Sequence, residues 1–310
     1  MSLVLLLTGL GLLAMPACAR GLGRRLRPEE WARLAAAALF AGAVAVEVAL
    51  VLLAAPTVLR ALAVPALAAA CTRIFGELAL GGANLGLSAA VLAVLLPTLA
   101  VRSVIRFRRT QRDMRIESWL GAHQERGGID LVVLPSRELV AYSVAGENPQ
   151  VVISQGLAET LDHAELAAVL RHEHAHLRFR HHRYLALAAV VEYSLPVSRV
   201  STAPLRMALE RWADEHAAGK AMERRSTVRA ALLVMATSLV AAPDVAAFGG
   251  TPTLLERVDA LEGAPIVALR THRIVAYVLI GGLGLLGAFA VAQWIVEARM
   301  MLAMAGYCPS

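Results

Sequence analysis

Two histidines four residues apart, His172 and His176, bracket a carboxylate in the run His172-Glu173-His174-Ala175-His176. On a helix they stand one turn apart on a single face. Both imidazoles can then reach one divalent ion at about 2.0–2.1 Å. Glu173 directly follows the first histidine, where it can accept a proton from a water on such an ion, the chemistry of amide hydrolysis. A chain of this composition meets the pattern by chance only about 0.02 times. A metal pair therefore outweighs the bland alternative of a solvated histidine-rich face. His174 falls on the other side of the helix and is expected to be a surface histidine.

A hydrolytic zinc centre needs a third protein ligand and leaves one position open. Glu210, in Glu210-Arg211-Trp212-Ala213-Asp214, is the best candidate, with Glu215 as its competitor and Glu192 as a weaker one. Asp214 lies one turn beyond Glu210 and can hold a ligand histidine by its remaining N–H, fixing tautomer and orientation.

The elements that must position these groups are legible nearby. Leu131–Leu134 and Val151–Ser154 are short, β-branched-rich runs bounded by Pro, Gly and Asn, as expected of strands. Asp162 opens a helix, and Glu165 three residues on completes a capping box. Leu166, Val169 and Leu170 recur behind it at helical spacing, so the histidine pair falls on an established helix.

Composition sets the surroundings. Of 310 residues, 58% are hydrophobic and only 17% charged, with a mean hydropathy of +0.60, too apolar for an ordinary soluble enzyme. The balance of +6 (pI ≈ 9.8) comes almost entirely from arginine, since Lys220 is the sole lysine. No basic stretch lies beside stacking aromatics, which argues against direct nucleic-acid binding. Four apolar stretches approach the roughly 20 residues that a bilayer requires: about 2–19, 34–55, 78–101 and 274–296. The predicted fold class is therefore an α-helical membrane protein of four transmembrane helices with an α+β zinc protease domain. Residues 1–101 hold three spans, 102–273 the protease domain, and 274–310 the fourth span and a short tail.

Arginines cluster at 20–33 and 102–115, whereas loop 56–77 holds only Arg60 and Arg73. By the positive-inside rule the protease domain is cytoplasmic and both termini are outside, in a bacterial-type cell membrane. No Lys or Arg precedes the first apolar run, so an uncleaved span is expected there rather than a signal peptide. Pro56 and Pro65 interrupt the apolar second loop, which can dip into the interface. Glu47 sits in mid-span, where an ionisable side chain is costly. It is expected to be a tolerated packed residue sooner than a signal relay. Cys71 and Cys308 both fall on the oxidising side and are expected to pair; Cys18 lies near the cytoplasmic face.

Helix, His-Glu-x-x-His, a second helix and Glu-x-x-Ala-Asp together resemble the minimal gluzincin membrane proteases, over roughly Ile129–Lys220. That group includes heat-shock membrane proteases, CAAX prenyl proteases and beta-lactam-sensing signal-transducer peptidases. The resemblance implies zinc held by His172, His176 and Glu210, with Glu173 as base and proton shuttle and Asp214 behind the ligands. It also implies that the strand region 149–156 binds substrate backbone by β-augmentation. Heat-shock-type members place two spans between the histidine pair and the glutamate; residues 177–209 are too few for that. Three spans, a protease domain and a fourth span is the layout of the beta-lactam sensors, without their penicillin-binding domain. The resemblance thus implies a membrane metalloendopeptidase acting in regulatory signalling on a cytoplasmic or membrane-proximal protein, a transcriptional repressor being one candidate. General membrane quality control and a catalytically silent scaffold are the alternatives. The oxyanion stabiliser is open among His216, His181, His182, Tyr184 and Tyr193.

Overall fold

The computed structural model describes residues 2–62, 82–126, 129–195, 198–241, 251–263 and 270–305. The chain begins with α1 (Ser2–Cys18), the single turn α2 (Arg20–Gly23), α3 (Pro28–Ala61) and α4 (Gly82–Ser118). A sheet follows, of β1 (Ala122–Arg126), β2 (Ile129–Leu134), β3 (Ala141–Val144) and β4 (Gln150–Ser154). Helices α5 (Gln155–Thr160), α6 (His163–Arg178), α7 (His181–Ser194), α8 (Arg199–Ala218), α9 (Met222–Ala241), α10 (Thr251–Glu262) and α11 (Arg270–Ala305) complete it.

Of the described helices, α3 and α4 are long and apolar enough to cross a membrane. Helix α1, at 17 residues, is shorter than the usual span. The fourth apolar stretch, 274–296, lies inside α11. α1 and α3 cross at glycines: a Cβ on Gly42 would lie 2.8 Å from the Gly9 carbonyl oxygen. Only glycine permits that backbone approach, the small-residue packing common between membrane helices. Helix α3 runs through Pro56 to Ala61, so the second loop starts later than the prolines suggest. Most of that loop, with Cys71, and the tail with Cys308 lie outside the described residues, and so does their expected disulfide. Cys18 is an exposed free thiol.

Helix α4 does not stop where its apolar stretch ends. Residues 102–118 are mostly good helix formers, and the helix continues to Ser118. Gly121 then lets the chain turn tightly into β1, since a Cβ there would lie 2.3 Å from Val132. The sheet order is β1-β2-β4-β3: β1 antiparallel to β2, β2 parallel to β4, and β4 antiparallel to β3. Alternation sends Leu131, Val151 and Ile153 toward Leu157 and Val169, and sends Val132, Leu134, Val144 and Val152 to the opposite face beside Met114 of α4. Both faces are thus covered, which explains the almost unbroken apolar β4.

A larger core joins the two halves of the molecule. Leu26, Trp31 and Leu39 of the α2–α3 region pack in one cluster with Leu205, Leu209 and Trp212 of α8 and Val191 of α7. Arg33 stacks its guanidinium over Trp212, 5.2 Å from the ring centroid. The helices that carry the candidate chemistry are therefore braced directly against the apolar N-terminal helices.

Candidate metal centre

Helix α6 starts as its sequence predicts. The Asp162 side chain accepts from the N–H groups of Ala164 and Glu165, while the Glu165 carboxylate accepts from the Asp162 N–H. This fixes the helix register, and His172 and His176 end on one face with Nε2 atoms 3.1 Å apart. Helix α8 crosses beside them and brings up Glu210, whose carboxylate oxygens lie 3.5 Å from His172 Nε2 and 3.7 Å from His176 Nε2. These three residues form a group able to hold one metal ion. Ligand atoms about 2.0–2.1 Å from a tetrahedral zinc stand roughly 3.4 Å from one another. The three observed separations straddle that value, so the donor set fits zinc in number, chemistry and spacing.

The groups behind the triad orient it. Asp214 Oδ1 lies 2.9 Å from His172 Nδ1. With the proton on Nδ1, donated to Asp214, the Nε2 lone pair is left facing the triad. His181 plays the corresponding part for His176, the two Nδ1 atoms being 3.0 Å apart. Arg180, at φ 55° and ψ 42°, takes the left-handed conformation between α6 and α7 and turns His181 back onto the site. His181 is fully buried, and burial first, then the neighbouring His176, pushes its pKa down to about 3. It is a neutral partner. Burial would likewise favour a neutral His172, but the hydrogen bonds to Asp214 and Glu210 overturn this and raise it to about 10 in the metal-free site. An incoming ion would displace that proton.

Arg257 of α10 carries no motif and escapes sequence reading. It clamps Asp214 with Nε and Nη2, both at 2.8 Å, and reaches Glu210 Oε2 with Nη1 at 3.0 Å. Burial works against ionising Glu210, but Arg257 and His176 hold its carboxyl well below the usual range. Asp214 is kept low in the same way by Arg257. The buried Asp214 and the half-buried Glu210, beside two imidazoles, are thereby balanced by a single guanidinium.

A cavity of about 380 Å³ opens on the triad. Glu173, only 8% exposed, lines it together with His172, His176 and Glu210. Ala141, Tyr142 and Ser143 of β3 form part of its wall. The strand expected to take substrate, 149–156, is β4, and it is paired on both sides. Its hydrogen-bonding groups are already used, so it cannot accept another strand. The strand beside the cavity at the sheet edge is β3.

The remaining expected residues lie elsewhere. Glu215 makes two bonds to Arg225, at 2.6 and 3.0 Å, and Glu192 is held by Arg206 and Thr202. Neither competes for the ion. His174 faces a different cavity, beside His182 and Arg178. Tyr193 is exposed, His216 packs edge-on against Phe179, and Tyr184 packs near Trp212. None of the five oxyanion candidates lines the cavity on the triad.

Residues 109–206 match the sequence model of peptidase family M48. The match spans about a third of the chain, from the end of α4 through the sheet, α6 and α7 into α8. No curated protein and no solved structure matches the chain. The chain thus carries an M48-type domain, which supports a metallopeptidase of the zinc-dependent, gluzincin kind. Glu210, Asp214 and Arg257 lie beyond the matched segment, so their part in the centre is carried by geometry.

Proposed function

We propose that the protein is an integral-membrane zinc metalloendopeptidase whose ion is held by His172, His176 and Glu210, with Glu173 as the proton carrier. The convergence of three ligand atoms from α6 and α8 on one point, with Glu173 in the same cavity, carries this reading. When bound, zinc would acidify a water and polarise the scissile carbonyl. The side chains do the rest. Glu173 takes a proton from the attacking water and delivers it to the leaving amine. Asp214 and His181 hold the two histidines in the tautomers that present Nε2. Arg257 keeps Glu210 and Asp214 ionised. The substrate lies along β3 as an added strand, antiparallel or parallel, with its backbone against the edge at Ala141–Val144.

Membrane insertion is supported by the apolar outer faces of the N-terminal helices. Leu87, Val91 and Val94 of α4 and Phe40, Val44 and Val51 of α3 are large apolar side chains in the open. Together with α1 and α11 they give four spans, with residues 102–273 on the cytoplasmic side, where the arginines of 20–33 and 102–115 also lie. The arrangement of three spans, protease domain and fourth span supports regulated cleavage of a cytoplasmic or membrane-proximal protein, as in the signal-transducing peptidases that the sequence resembles.

The test compares wild type and Glu173→Gln as full-length chains in detergent, with labelled casein as substrate and zinc measured by elemental analysis. Cleavage is expected to fall by about 10²–10⁴ while one zinc per chain is retained. Equal cleavage by both proteins overturns the mechanism; absence of zinc from both overturns the site.

A further inference from the structure

Behind the metal centre, on another side of α8, lies a cavity of about 230 Å³ between α2, the start of α3, α8 and α10. Arg20, Arg24, Arg211, Trp31 and Glu256 line it. Arg211 is the group that stands out. The residue is only 8% exposed, its Nε is buried without a partner, and no described residue accepts a hydrogen bond from its guanidinium. The other arginines in the interior are treated differently: Arg225, whose Nε is likewise unpartnered, binds Glu215 and the Ala260 carbonyl through Nη1 and Nη2, and Arg257 clamps Asp214. A buried cation with open donors is costly unless an anionic oxygen group completes it. The carboxylates of Glu256, Glu215 and Asp214 lie near enough to favour its charge, but none is bonded to it: Glu256 is turned to Arg24 Nε at 3.2 Å, Glu215 to Arg225, and Asp214 to Arg257 and His172.

The position of the cavity says where such a group would come from. The first apolar helix ends at Cys18, and the uncharged run of α3 starts after Arg33. Residues 20–33 therefore stand at the polar ends of two apolar helices, which is headgroup level if α3 crosses the bilayer. Three arginines against one glutamate leave the cavity with a net charge of about +2, suited to a phosphodiester. Arg20 spends one Nη2 bond on the Val200 carbonyl, at 3.1 Å, and is otherwise exposed. The Trp31 ring, 4% exposed, forms part of the wall.

We infer that this cavity binds a phosphate group through Arg20, Arg24 and Arg211, and that the group is the headgroup phosphate of an anionic phospholipid. The lipid assignment rests on the membrane reading above; the phosphate site does not. The site also neighbours the metal centre along two helices. Arg211 directly follows Glu210 on α8, and Glu256 directly precedes Arg257 on α10. Neighbouring residues of the same two helices thus face the two sites.

The test uses the full-length chain in neutral detergent, titrated separately with phosphatidylglycerol, phosphatidylcholine and inorganic phosphate, with binding read by native mass spectrometry. Phosphatidylglycerol is expected to bind at least tenfold tighter than phosphatidylcholine. Arg211→Gln and the double variant Arg20→Gln/Arg24→Gln should each weaken it by roughly tenfold or more, as expected for charge-assisted bonds. The double variant lies on the surface and guards against misfolding, with zinc content as the fold control. Displacement of the lipid by millimolar inorganic phosphate would show that phosphate alone is recognised; persistence of the lipid preference without displacement assigns the site to the headgroup. No preference for the anionic lipid and no arginine-dependent phosphate binding, or binding undiminished in both variants, overturns the proposal. A chain that stays soluble without detergent defeats the membrane reading on its own, and arginine-dependent binding of inorganic phosphate then still supports the phosphate site.

Discussion

Helix α8 presents two very different treatments of buried charge. On one side Asp214 and Glu210 share Arg257 and two histidines, and Glu215 is matched by Arg225, so each of these three carboxylates has a cation. On the other side Arg211, as buried as Glu173, has no acceptor among the described residues. The contrast teaches that burial alone does not say whether a charge is structural. A matched network holds a shape already present in the folded chain, and an unmatched charge points to something that the chain does not itself supply.

The largest effect should come from breaking a matched pair. Arg225→Met leaves Glu215, with 18% of its side chain exposed, facing an apolar replacement. Loss of one partner of such a pair costs about 3 kcal/mol, near the lower end of the range for buried pairs because Glu215 keeps some water. Denaturant unfolding of the detergent-solubilised protein reads this directly, and a change below about 1 kcal/mol would show the pair to be ornamental. Next in size is Asp214→Asn. The carboxylate that fixes the ring of His172 becomes a neutral amide, whose NH2 group can face Nδ1 and demand the other tautomer, and zinc affinity should fall by about 10–100-fold. Competition with a chromophoric chelator measures it; unchanged affinity would remove Asp214 from the orienting role. Replacing the unmatched cation should behave in the opposite way. Arg211→Met, in detergent free of anionic lipid, is expected to leave stability unchanged or to raise it by about 1 kcal/mol. A loss comparable to that of Arg225→Met would mean that Arg211 is matched after all, and the comparison between the two faces would collapse.

The same distinction separates what the sequence makes legible from what it hides. His172, Glu173 and His176 can be read because a helix turns an i,i+4 spacing into a shared face, and Glu210 with Asp214 repeats that device. Each pair is local, so the chain states it locally. Arg257 cannot be read this way: it arrives 43 residues after Asp214, and only the packing of α10 against α8 and α9 brings it there. His181 is legible as a histidine in the right neighbourhood but not in its role, which depends on the left-handed turn at Arg180. Among the strands, the apolar β2 and β4 are evident from composition. β1, spelled Ala-His-Gln-Glu-Arg, and the four-residue β3 are edge strands whose polar or short sequences carry little β signal. That is why the strand expected to meet substrate was the conspicuous central one and not the edge beside the cavity. The apolar stretches give their places from hydropathy alone, but not the continuation of α4 into a polar helix, because nothing before Gly121 marks a stop.

The smallest effect sharpens the comparison most. Arg24 and Glu256 form an ion pair at 3.2 Å whose side chains are 69% and 36% exposed. Water and salt screen such a pair, and Arg24→Gln should change stability by no more than about 0.5 kcal/mol. Zinc affinity should likewise stay within about twofold, since the pair touches no atom of the centre. If instead Arg24→Gln costs several kcal/mol, α10 is held chiefly by this contact, and Arg257 owes its place in the centre to the arginine-rich turn after α1. A small stability change leaves Arg24 available for an anion at little cost to the fold, which is what a ligand-binding side chain requires and a structural one does not.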